Sequence, residues 1–259
     1  MGVVNLTPDS FSDPVRLTEP QAAIDVALRM VEDGADILDL GGESTRPGAE
    51  PVSAAEELQR LLPVIEGLKD CGRPLSIDTR KPEVMREVLA AGADMINDIA
   101  GFAEAGAVEA VAASACGLCV MHMKGEPQTM QQAPAYDDVV SEVEEFLLGR
   151  VEALTAAGVS PARIVIDPGI GFGKDTRHNL LLLEALDELV GLGQAILVGV
   201  SRKSLIGELT GRPVDRRLAG SLAAALASVA RGARIVRVHD VAETCDALKV
   251  WQAIDQAGG

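Results

Sequence analysis

An α/β fold, a single (β/α)₈ barrel of the TIM type with its active site at the C-terminal face of the strands, is predicted by this sequence. Eight short aliphatic runs alternate with helical patterns along 259 residues, a length at which such barrels are commonly one domain. Most of these runs end in a polar residue, which a buried strand does not need for packing. Closing the strands into a barrel would gather those polar ends around one mouth. We therefore expect one domain over residues 1–259.

The strands are predicted from continuous aliphatic segments, as expected for parallel strands that are buried on both faces. The segments are 1–5, 36–40, 74–78, 93–97, 117–122, 162–167, 195–200 and 234–238. Their polar ends are Asn5, Asp39, Asp78, Asn97, His122, Asp167, Ser201 and the pair Arg237 and His239. Alternate residues of a strand share a face, so we expect Arg237 and His239 both to face the mouth.

Helices are predicted between the strands from spacing and from end signals. The stretches 137–157 and 215–230 carry apolar residues at helical spacing. Ser53–Glu56 and Thr18–Gln21 have the pattern of capping boxes at helix starts. Glycines that follow a helical run and precede a strand predict helix C-terminal turns at Gly34, Gly92, Gly158 and Gly232.

Composition and charge exclude several classes of function. A net charge of −16 argues against a general nucleic-acid surface, which needs a basic patch. No apolar stretch approaches the roughly 18 residues of a membrane span, and no signal peptide is recognisable, so we expect a cytoplasmic protein. Cys116 and Cys119 form a C-x-x-C without a second pair of ligands nearby, which favours structural cysteines over a zinc or redox site.

Two loops contain glycines that let the backbone bend around a ligand. Residues 39–48 follow the second strand and offer hydroxyls and a guanidinium at Ser44, Thr45 and Arg46. Residues 167–174 follow the sixth strand, but they match neither a Walker phosphate loop nor a dinucleotide-binding motif. We interpret the second loop as a bent lip that exposes Asp167 and Phe172 to a pocket.

The last two strand ends combine basic side chains in an acidic protein. Residues 201–204 follow the seventh strand and residues 237–240 end the eighth, and together they contain Arg, Lys and His. Barrels often bind phosphate at these two loops. We expect an anionic group there, because local cations must outweigh the unfavourable global charge.

Carboxylate and amide acceptors lie at three other strand ends. Asp78, Asn97 and Asp167 would suit a flat heterocycle with several N–H donors, such as an aminopyrimidinone ring. A buried aspartate needs a partner, and Lys203 is available. His122 is open to two interpretations, a base or a structural histidine, and Met123 would pack against a ligand ring.

Eight motifs, taken in order, resemble the signature of the dihydropteroate synthase family. They are NLTPDSFSD (5–13), DLGGESTRPGA (39–49), SIDTRKPEV (76–84), INDI (96–99), MHMKG (121–125), DPGIGFGK (167–174), SRKS (201–204) and RVHD (237–240). Each motif alone is weakly specific, whereas the ordered set is highly specific and spans the chain. The sequence departs from the family at Pro14–Arg16, where the family usually has glycines, so we expect a shorter and stiffer loop.

The resemblance implies an enzyme that joins p-aminobenzoate to 6-hydroxymethyl-7,8-dihydropterin diphosphate, forming 7,8-dihydropteroate and pyrophosphate. It places the pterin against Asp78, Asn97, Asp167 and Lys203, near Met123 and supported by Asp39. It places the diphosphate on Asn5, Arg46, Arg237 and His239, with Mg²⁺ bridging the diphosphate and Asn5. It places p-aminobenzoate between Thr45, Pro47, Phe172, Lys203 and Ser204. It also implies a homodimer, for which the 215–230 helix and the apolar side chains of Val250, Trp251 and Ile254 could form the contact face.

We expect a dissociative substitution in which Asp78, Asp167 and Lys203 are the catalytic residues, acceptors lie deep in the pocket and cations surround its entrance. Three alternatives remain at this point. A pterin-dependent methyltransferase would share the barrel and the acidic pocket. A non-catalytic pterin-binding relative would tolerate the altered loop at Pro14–Arg16. An unrelated phosphate-handling isomerase or aldolase would share only the fold, and a Schiff-base aldolase would carry its lysine on a strand, unlike Lys203.

Overall fold

The computed structural model describes residues 1–7, 19–45 and 48–257, which form a parallel sheet with helices packed against it. The strands are β1 (Gly2–Asn5), β2 (Leu38–Gly41), β3 (Leu75–Asp78), β4 (Met95–Asp98), β5 (Gly117–Met121), β6 (Ile164–Asp167), β7 (Ala195–Val198) and β8 (Ala233–Val236). The helices are α1 (Pro20–Glu32), α2 (Ala54–Leu68), α3 (Pro82–Ala90), α4 (Ala107–Ala112), α5 (Val139–Ala156), α6 (Thr176–Glu184), α7 (Leu186–Val190), α8 (Ser204–Thr210), α9 (Leu218–Ala230) and α10 (Val241–Gln256). Short 3₁₀ helices at Pro161–Arg163 and Val214–Arg216 precede β6 and α9.

The eight strands lie in the order β1 to β8, and each neighbouring pair is parallel. Each predicted strand segment overlaps an observed strand, so the predicted alternation of strands and helices is confirmed. The first strand also contacts the segment that follows the last one. The Val3 N–H donates to the Val238 carbonyl over 3.0 Å, and the Val238 N–H donates to the Met1 carbonyl over 2.9 Å.

Alternation along the strands divides their side chains between two apolar clusters. Residues such as Leu40, Ile77 and Ile96 belong to the large core, which includes the buried faces of the helices. Their strand neighbours point the other way, where Met95, Cys119 and Leu197 form a second, smaller cluster. This inner face is the one that carries most of the polar strand ends.

Helix boundaries follow the predicted patterns with local corrections. Helix α5 spans Val139–Ala156 within the predicted 137–157, and the Asp138 side chain caps it by accepting the N–H groups of Val140 and Ser141. Helix α9 begins at Leu218, later than predicted, because the preceding Val214–Arg216 forms a 3₁₀ turn.

The two predicted capping boxes have different outcomes. Ser53 is the N-cap of α2 and accepts the Glu56 N–H over 3.2 Å. Helix α1 begins at Pro20 after the N-cap residue Glu19, so the box predicted to start at Thr18 is wrong, and Thr18 itself lies outside the described residues. The predicted helix C-terminal glycines all have positive φ, at Gly34, Gly92, Gly158 and Gly232.

The cysteines and the helices can be compared with the predictions about thiols, metal sites and membrane spans. Cys71, Cys116, Cys119 and Cys245 are all free thiols. Among the described residues, no group of three or more His, Cys, Asp and Glu side chains is placed to hold a metal ion. Within the same ranges, no helix combines the length and the apolar content that crossing a membrane would require.

Candidate active site

The inner-facing residues at the C-terminal ends of the strands lie side by side because of the sheet register. Asn5 pairs with Gly41, Gly41 with Asp78, and Asp78 with Asn97, while Met121 pairs with Asp167. Gly41 leaves space between its neighbours, since a Cβ there would lie 3.7 Å from Asn5 Oδ1 and 3.8 Å from Asp78 Cβ. The predicted gathering of polar strand ends therefore exists on this face.

Four of these polar side chains form one hydrogen-bonded group, which we call the floor: Asp39, Asp78, Asn97 and Arg237. Asp39 is fully buried, and its Oδ2 accepts from Arg237 Nε over 2.6 Å and from Asn97 Nδ2 over 3.3 Å. Arg237 Nη2 donates to Asp78 Oδ2 over 3.0 Å. The floor therefore joins strand ends from β2, β3, β4 and β8.

Asp39 determines which end of the Asn97 amide is available to a ligand. Asp39 Oδ2 is an acceptor, as its contact with Arg237 shows, so Asn97 turns its Nδ2 donor toward it. Asn97 Oδ1 is then left buried and without a hydrogen-bond partner among the described residues. A buried acceptor without a partner costs about 1–3 kcal/mol, and a ligand N–H donor would recover that energy.

Charge within the floor is balanced by Arg237. Burial raises the pKa of Asp78 to about 7, although the Arg237 guanidinium lowers it. Burial disfavours the charge of Arg237 as well, but the Asp39 and Asp78 carboxylates outweigh it and hold the pKa of Arg237 above its usual value. The predicted separation of deep acceptors from cations at the entrance does not hold for Arg237, because its long side chain folds inward onto two carboxylates.

A second group is built on the backbone of residues 169–173, which we call the glycine turn. Asp167 Oδ1 accepts the Gly169 N–H over 2.7 Å and so fixes the start of the turn. Lys203 Nζ donates to the Ile170 carbonyl and lies 4.8 Å from the centre of the Phe172 ring. Phe172 and Lys203, which were predicted to contact the same substrate, thus lie together, and Asp167 lies at the start of the same turn.

Opposite charges moderate the cost of burial beside the glycine turn. Burial raises the pKa of Asp167, and Lys203 and the Gly169 N–H oppose that shift. Burial lowers the pKa of Lys203 to about 8, and Asp167 opposes that shift in turn. Arg237 and Lys203 both approach Gly199, where a Cβ would lie 3.8 Å from Arg237 Cβ and from Lys203 Nζ. The floor and the glycine turn therefore face a common space.

The loops after β7 and β8 are tied to each other. Ser201 Oγ lies 3.1 Å from His239 Nδ1 and accepts the His239 N–H over 3.3 Å. Arg202 forms an ion pair with Asp240. Ser204 is exposed at the start of α8. These ties hold His239 beside the loop that contains Lys203.

The loop after β2 is anchored by a buried ion cluster that sequence reasoning missed. Lys81 Nζ donates to Glu57 Oε2 over 2.6 Å and to Glu43 Oε2 over 2.8 Å. Glu43 Oε1 accepts the Val52 N–H over 2.9 Å, which closes the loop. Thr45 is half-buried in this loop. The predicted substrate-binding residues Arg46 and Pro47 lie outside the described residues, as does the departure at Pro14–Arg16.

His122 and Met123 differ in their relation to the cavity. His122 faces the helices, where its ring meets Phe146 edge-on at 5.0 Å and its Nδ1 lies 2.9 Å from Lys174 Nζ. Burial and Lys174 lower the pKa of His122 to about 3, so the ring is neutral, which favours the structural interpretation over a base. Met123 is half-buried after β5, whereas Met121, which was not predicted, lies opposite Asp167 in the register.

Two further residues of the site were missed by sequence reasoning. Ser76 is fully buried and donates to Asp39 Oδ1 over 2.6 Å. Its signal was weak, namely a hydroxyl two residues before Asp78 and therefore on the same strand face. Lys174 is buried behind the glycine turn and contacts mainly backbone carbonyls, which no residue pattern reveals.

Comparisons with known proteins agree with this geometry. Residues 1–239 match the family model described as pterin binding enzyme. A dihydropteroate synthase of Neisseria meningitidis serogroup B is 53% identical over 261 residues, covering 98% of this chain and 92% of that protein. Among solved structures, Xanthomonas albilineans dihydropteroate synthase with 4-aminobenzoic acid is 52% identical with a TM-score of 0.91, covering 98% of this chain and 92% of that one. The same enzyme in complex with 7,8-dihydropteroate is 48% identical with a TM-score of 0.87, covering 98% of this chain and 91% of that one.

Proposed function

This chain belongs to the dihydropteroate synthase family of pterin-binding enzymes, and on that premise we propose which of its residues carry out each part of the reaction. The enzyme is a transferase that condenses 6-hydroxymethyl-7,8-dihydropterin diphosphate with p-aminobenzoate to 7,8-dihydropteroate and pyrophosphate. Relatives of about half identical sequence bind 4-aminobenzoic acid and 7,8-dihydropteroate, which supports this substrate class.

The floor binds the pterin ring. The single observation that carries this role is the buried Asn97 Oδ1 beside the Asp78 carboxylate, which finds no hydrogen-bond partner in residues 1–7, 19–45 and 48–257. Ring N–H and amino groups of a pterin are donors that match such acceptors. Asp39 holds Asn97 and Arg237 in place, and Ser76 in turn holds Asp39 by donating its hydroxyl hydrogen to it. Asp167 and Lys203 complete the pocket on the opposite side.

Asn5 would hold Mg²⁺ together with diphosphate oxygens and water. The Asn5 side chain is half-buried, and it makes no hydrogen bond within the part of the chain that is described. A single protein oxygen suits Mg²⁺, which usually keeps several waters and binds phosphate oxygens of a substrate. When bound, the ion neutralises charge that develops on the leaving diphosphate. Arg46, Arg237 and His239 contribute positive charge or hydrogen-bond donors to the same group.

The reaction is a dissociative substitution at the pterin methylene. The C–O bond breaks, its electron pair leaves with the diphosphate, and the positive charge spreads over the dihydropterin ring. The Asp78 and Asp167 carboxylates stabilise that charge from two sides of the cavity. The p-aminobenzoate nitrogen then forms the C–N bond with its lone pair and releases one proton to the solvent or to the departed pyrophosphate.

The p-aminobenzoate lies between the glycine turn and the loop after β2. Phe172 provides an apolar face, and the Lys203 ammonium attracts the carboxylate of the substrate. Thr45, Pro47 and Ser204 complete the contacts. No protein nucleophile is needed, so positioning and electrostatics supply the rate enhancement.

The sheet closes into a single (β/α)₈ barrel whose C-terminal face carries the site. The Val3–Val238 and Val238–Met1 hydrogen bonds between the ends of the sheet support this closure. The parallel order of the eight strands has the arrangement that such a barrel requires. Residues 1–259 then form one domain.

The exposed surface of α10 supports a proposal about the oligomeric state, and the thiols support one about the compartment. Val250 and Ile254 are 62% and 71% exposed on α10, next to the alanine-rich α9, and this face joins two copies into a homodimer. The four free cysteines suit a reducing compartment, which supports the cytoplasm. Light scattering of the purified protein would measure the oligomeric state, with a dimer mass expected and a monomer mass excluding the contact.

The condensation is tested by incubating the protein with the pterin diphosphate, p-aminobenzoate and Mg²⁺. We expect dihydropteroate and pyrophosphate in equal amounts, no product when either substrate is omitted, and a large loss of rate without Mg²⁺. Binding of the pterin without product formation would indicate a non-catalytic pterin-binding protein instead.

A further inference from the structure

Lys174 is a buried cation behind the glycine turn to which the proposed reaction assigns no role. Its side chain is 2% exposed, and its Nζ lies 2.9 Å from His122 Nδ1. The same Nζ donates to the carbonyls of Gly169 and Phe172 over 3.0 Å each, and it lies 3.3 Å from the His122 carbonyl. An ammonium has three N–H donors, so these four acceptors occupy all of them.

Carbonyls of the glycine turn point toward two different lysines. Those of Gly169 and Phe172 face Lys174, while the Ile170 carbonyl between them accepts from Lys203. The two ammonium groups therefore bind the same short turn through different carbonyls. Rotation of the peptide unit that carries the Gly169, Ile170 or Phe172 carbonyl would therefore break a contact with a lysine.

The turn lies so close to the chain after β5 that only glycine fits at two positions. A Cβ at Gly169, where φ is +69°, would lie 1.8 Å from the His122 carbonyl oxygen. A Cβ at Gly173 would lie 2.2 Å from the Lys124 carbonyl oxygen. This close approach brings the His122 carbonyl within 3.3 Å of the Lys174 ammonium, where it adds one more neutral acceptor to the buried cation.

We propose that Lys174 is a positioning residue that holds the glycine turn in the shape that presents the Ile170 carbonyl to Lys203 and the Phe172 ring to p-aminobenzoate. The inference rests on the proposed placement of that substrate. Lys174 acts through the turn and does not itself touch either substrate.

The charges around Lys174 are consistent with this role. Burial lowers the pKa of Lys174 to about 7, the Asp167 carboxylate opposes that shift, and Lys203 and Lys124 add to it. Burial raises the pKa of Asp167, and Lys174 is among the groups that oppose this rise. Because the His122 ring is neutral, it serves Lys174 as an acceptor and not as a competing cation.

The test is the Lys174→Met variant, which keeps the length of the side chain and removes the ammonium. We expect the KM for p-aminobenzoate to rise about tenfold, because small displacements of positioning groups have effects of this size or larger. We expect the calorimetric Kd for the pterin diphosphate to change less than about threefold, since the floor that binds the ring N–H groups lies on other strands and Asp167, on the far side of that pocket, keeps its own contact with the Gly169 N–H. If Lys174 had a purely structural role, the variant would give less active protein, but the KM for p-aminobenzoate would not rise more than the Kd for the pterin diphosphate.

Two control variants separate the charge from other effects. Lys249→Met removes an exposed lysine that pairs only with Asp246 in the described chain, and it should leave both constants unchanged. Tyr136→Phe removes a neutral hydrogen bond to the Gly173 carbonyl of the same turn, and it should raise the KM by less than the Lys174 variant.

The inference would be overturned if folded Lys174→Met kept the parent KM for p-aminobenzoate. It would also be overturned if that KM and the Kd for the pterin diphosphate rose by the same factor. If that variant does not fold, Lys174→Leu, which also has no donor, is measured in the same way, and Lys174→Gln, whose amide can still donate to two carbonyls, should raise the KM for p-aminobenzoate by less than either apolar variant. Absence of dihydropteroate formation by the parent protein would instead contradict the proposed function, so the two failures are distinguishable.

Discussion

The floor and the glycine turn face the same cavity but are built from different parts of the chain. The floor uses side chains, with Asp39 accepting from Ser76, Asn97 and Arg237. The glycine turn uses backbone carbonyls, which two lysines bind. Side chains on neighbouring strands are placed by the sheet register, whereas carbonyls in a turn depend on the φ and ψ of each residue.

This difference indicates which substrate each region can select. The floor offers a fixed set of acceptors at the base of the cavity, which suits recognition of a ring with several N–H donors. The glycine turn offers an aromatic face and one ammonium, which suits a flat acid. Substitutions in the floor should therefore weaken binding of the pterin most, and substitutions in the glycine turn should weaken binding of p-aminobenzoate most.

Asp78→Asn, in the floor, should cause the largest loss of activity. The change removes one of the two carboxylates that stabilise the positive charge of the transition state, so kcat/KM for the pterin diphosphate should fall at least about a hundredfold. Steady-state kinetics measures this loss, with the exposed Asp246→Asn as the matched control. Parent-like kcat/KM in Asp78→Asn would remove the acidic floor from the mechanism.

Arg237→Ala should come next and should distinguish two pterin ligands. It removes a cation near the diphosphate, so the Kd for the pterin diphosphate should rise about a hundredfold, and that for the pterin alcohol about tenfold because Asp39 and Asp78 lose their partner. Calorimetry with both ligands measures the difference, with Arg234→Ala at an exposed position of β8 as the control. Equal effects on both ligands would contradict a role at the diphosphate.

Gly169→Ala tests the close approach that shapes the glycine turn. The new Cβ would overlap the His122 carbonyl oxygen at a positive φ, so the free energy of unfolding should fall by about 2–3 kcal/mol. Gly193→Ala also has a positive φ but meets no atom within 4 Å, so it should cost only about 1 kcal/mol. Denaturant titration measures both, and equal losses would show that the contact with His122 is unimportant.

The pH dependence of kcat/KM should show one ionisation from each region, with smaller changes in activity than the substitutions above. Asp78 acts as a carboxylate and its pKa is about 7, so activity should rise as the pH rises through about 7. Lys203 acts as an ammonium and its pKa is about 8, so activity should fall as the pH rises through about 8. Each limb should approach about tenfold per pH unit. Asp78→Asn should lose the acid limb only, and retention of that limb would assign it to another group.

Sequence reasoning predicted the floor better than the glycine turn for a physical reason. Asp39, Asp78 and Asn97 end aliphatic runs, and parallel strands bring such ends together. Ser76 was missed because one hydroxyl in a strand resembles ordinary composition. The inward fold of Arg237 was also missed, because a long side chain at a strand end can point either way.

The glycine turn was predicted only as a bent lip that exposes Asp167 and Phe172. Its shape depends on a Cβ-free contact between Gly169 and His122, which lie far apart in sequence. The role of Lys174 depends on carbonyls, which every residue has, so residue type carries no signal for it. The anchor of the loop after β2 was missed likewise, because Lys81 and Glu57 lie on elements that only the fold brings together.

The most direct test of the central claim is the calorimetric Kd of the pterin diphosphate, in the presence of Mg²⁺, for Asn97→Ala and Phe172→Ala. Asn97→Ala removes the unpartnered acceptor of the floor and should weaken binding about tenfold or more, whereas Phe172→Ala should change the Kd less than about threefold. Equal weakening by the two variants, or a larger effect of Phe172→Ala, would contradict the assignment of pterin recognition to the floor.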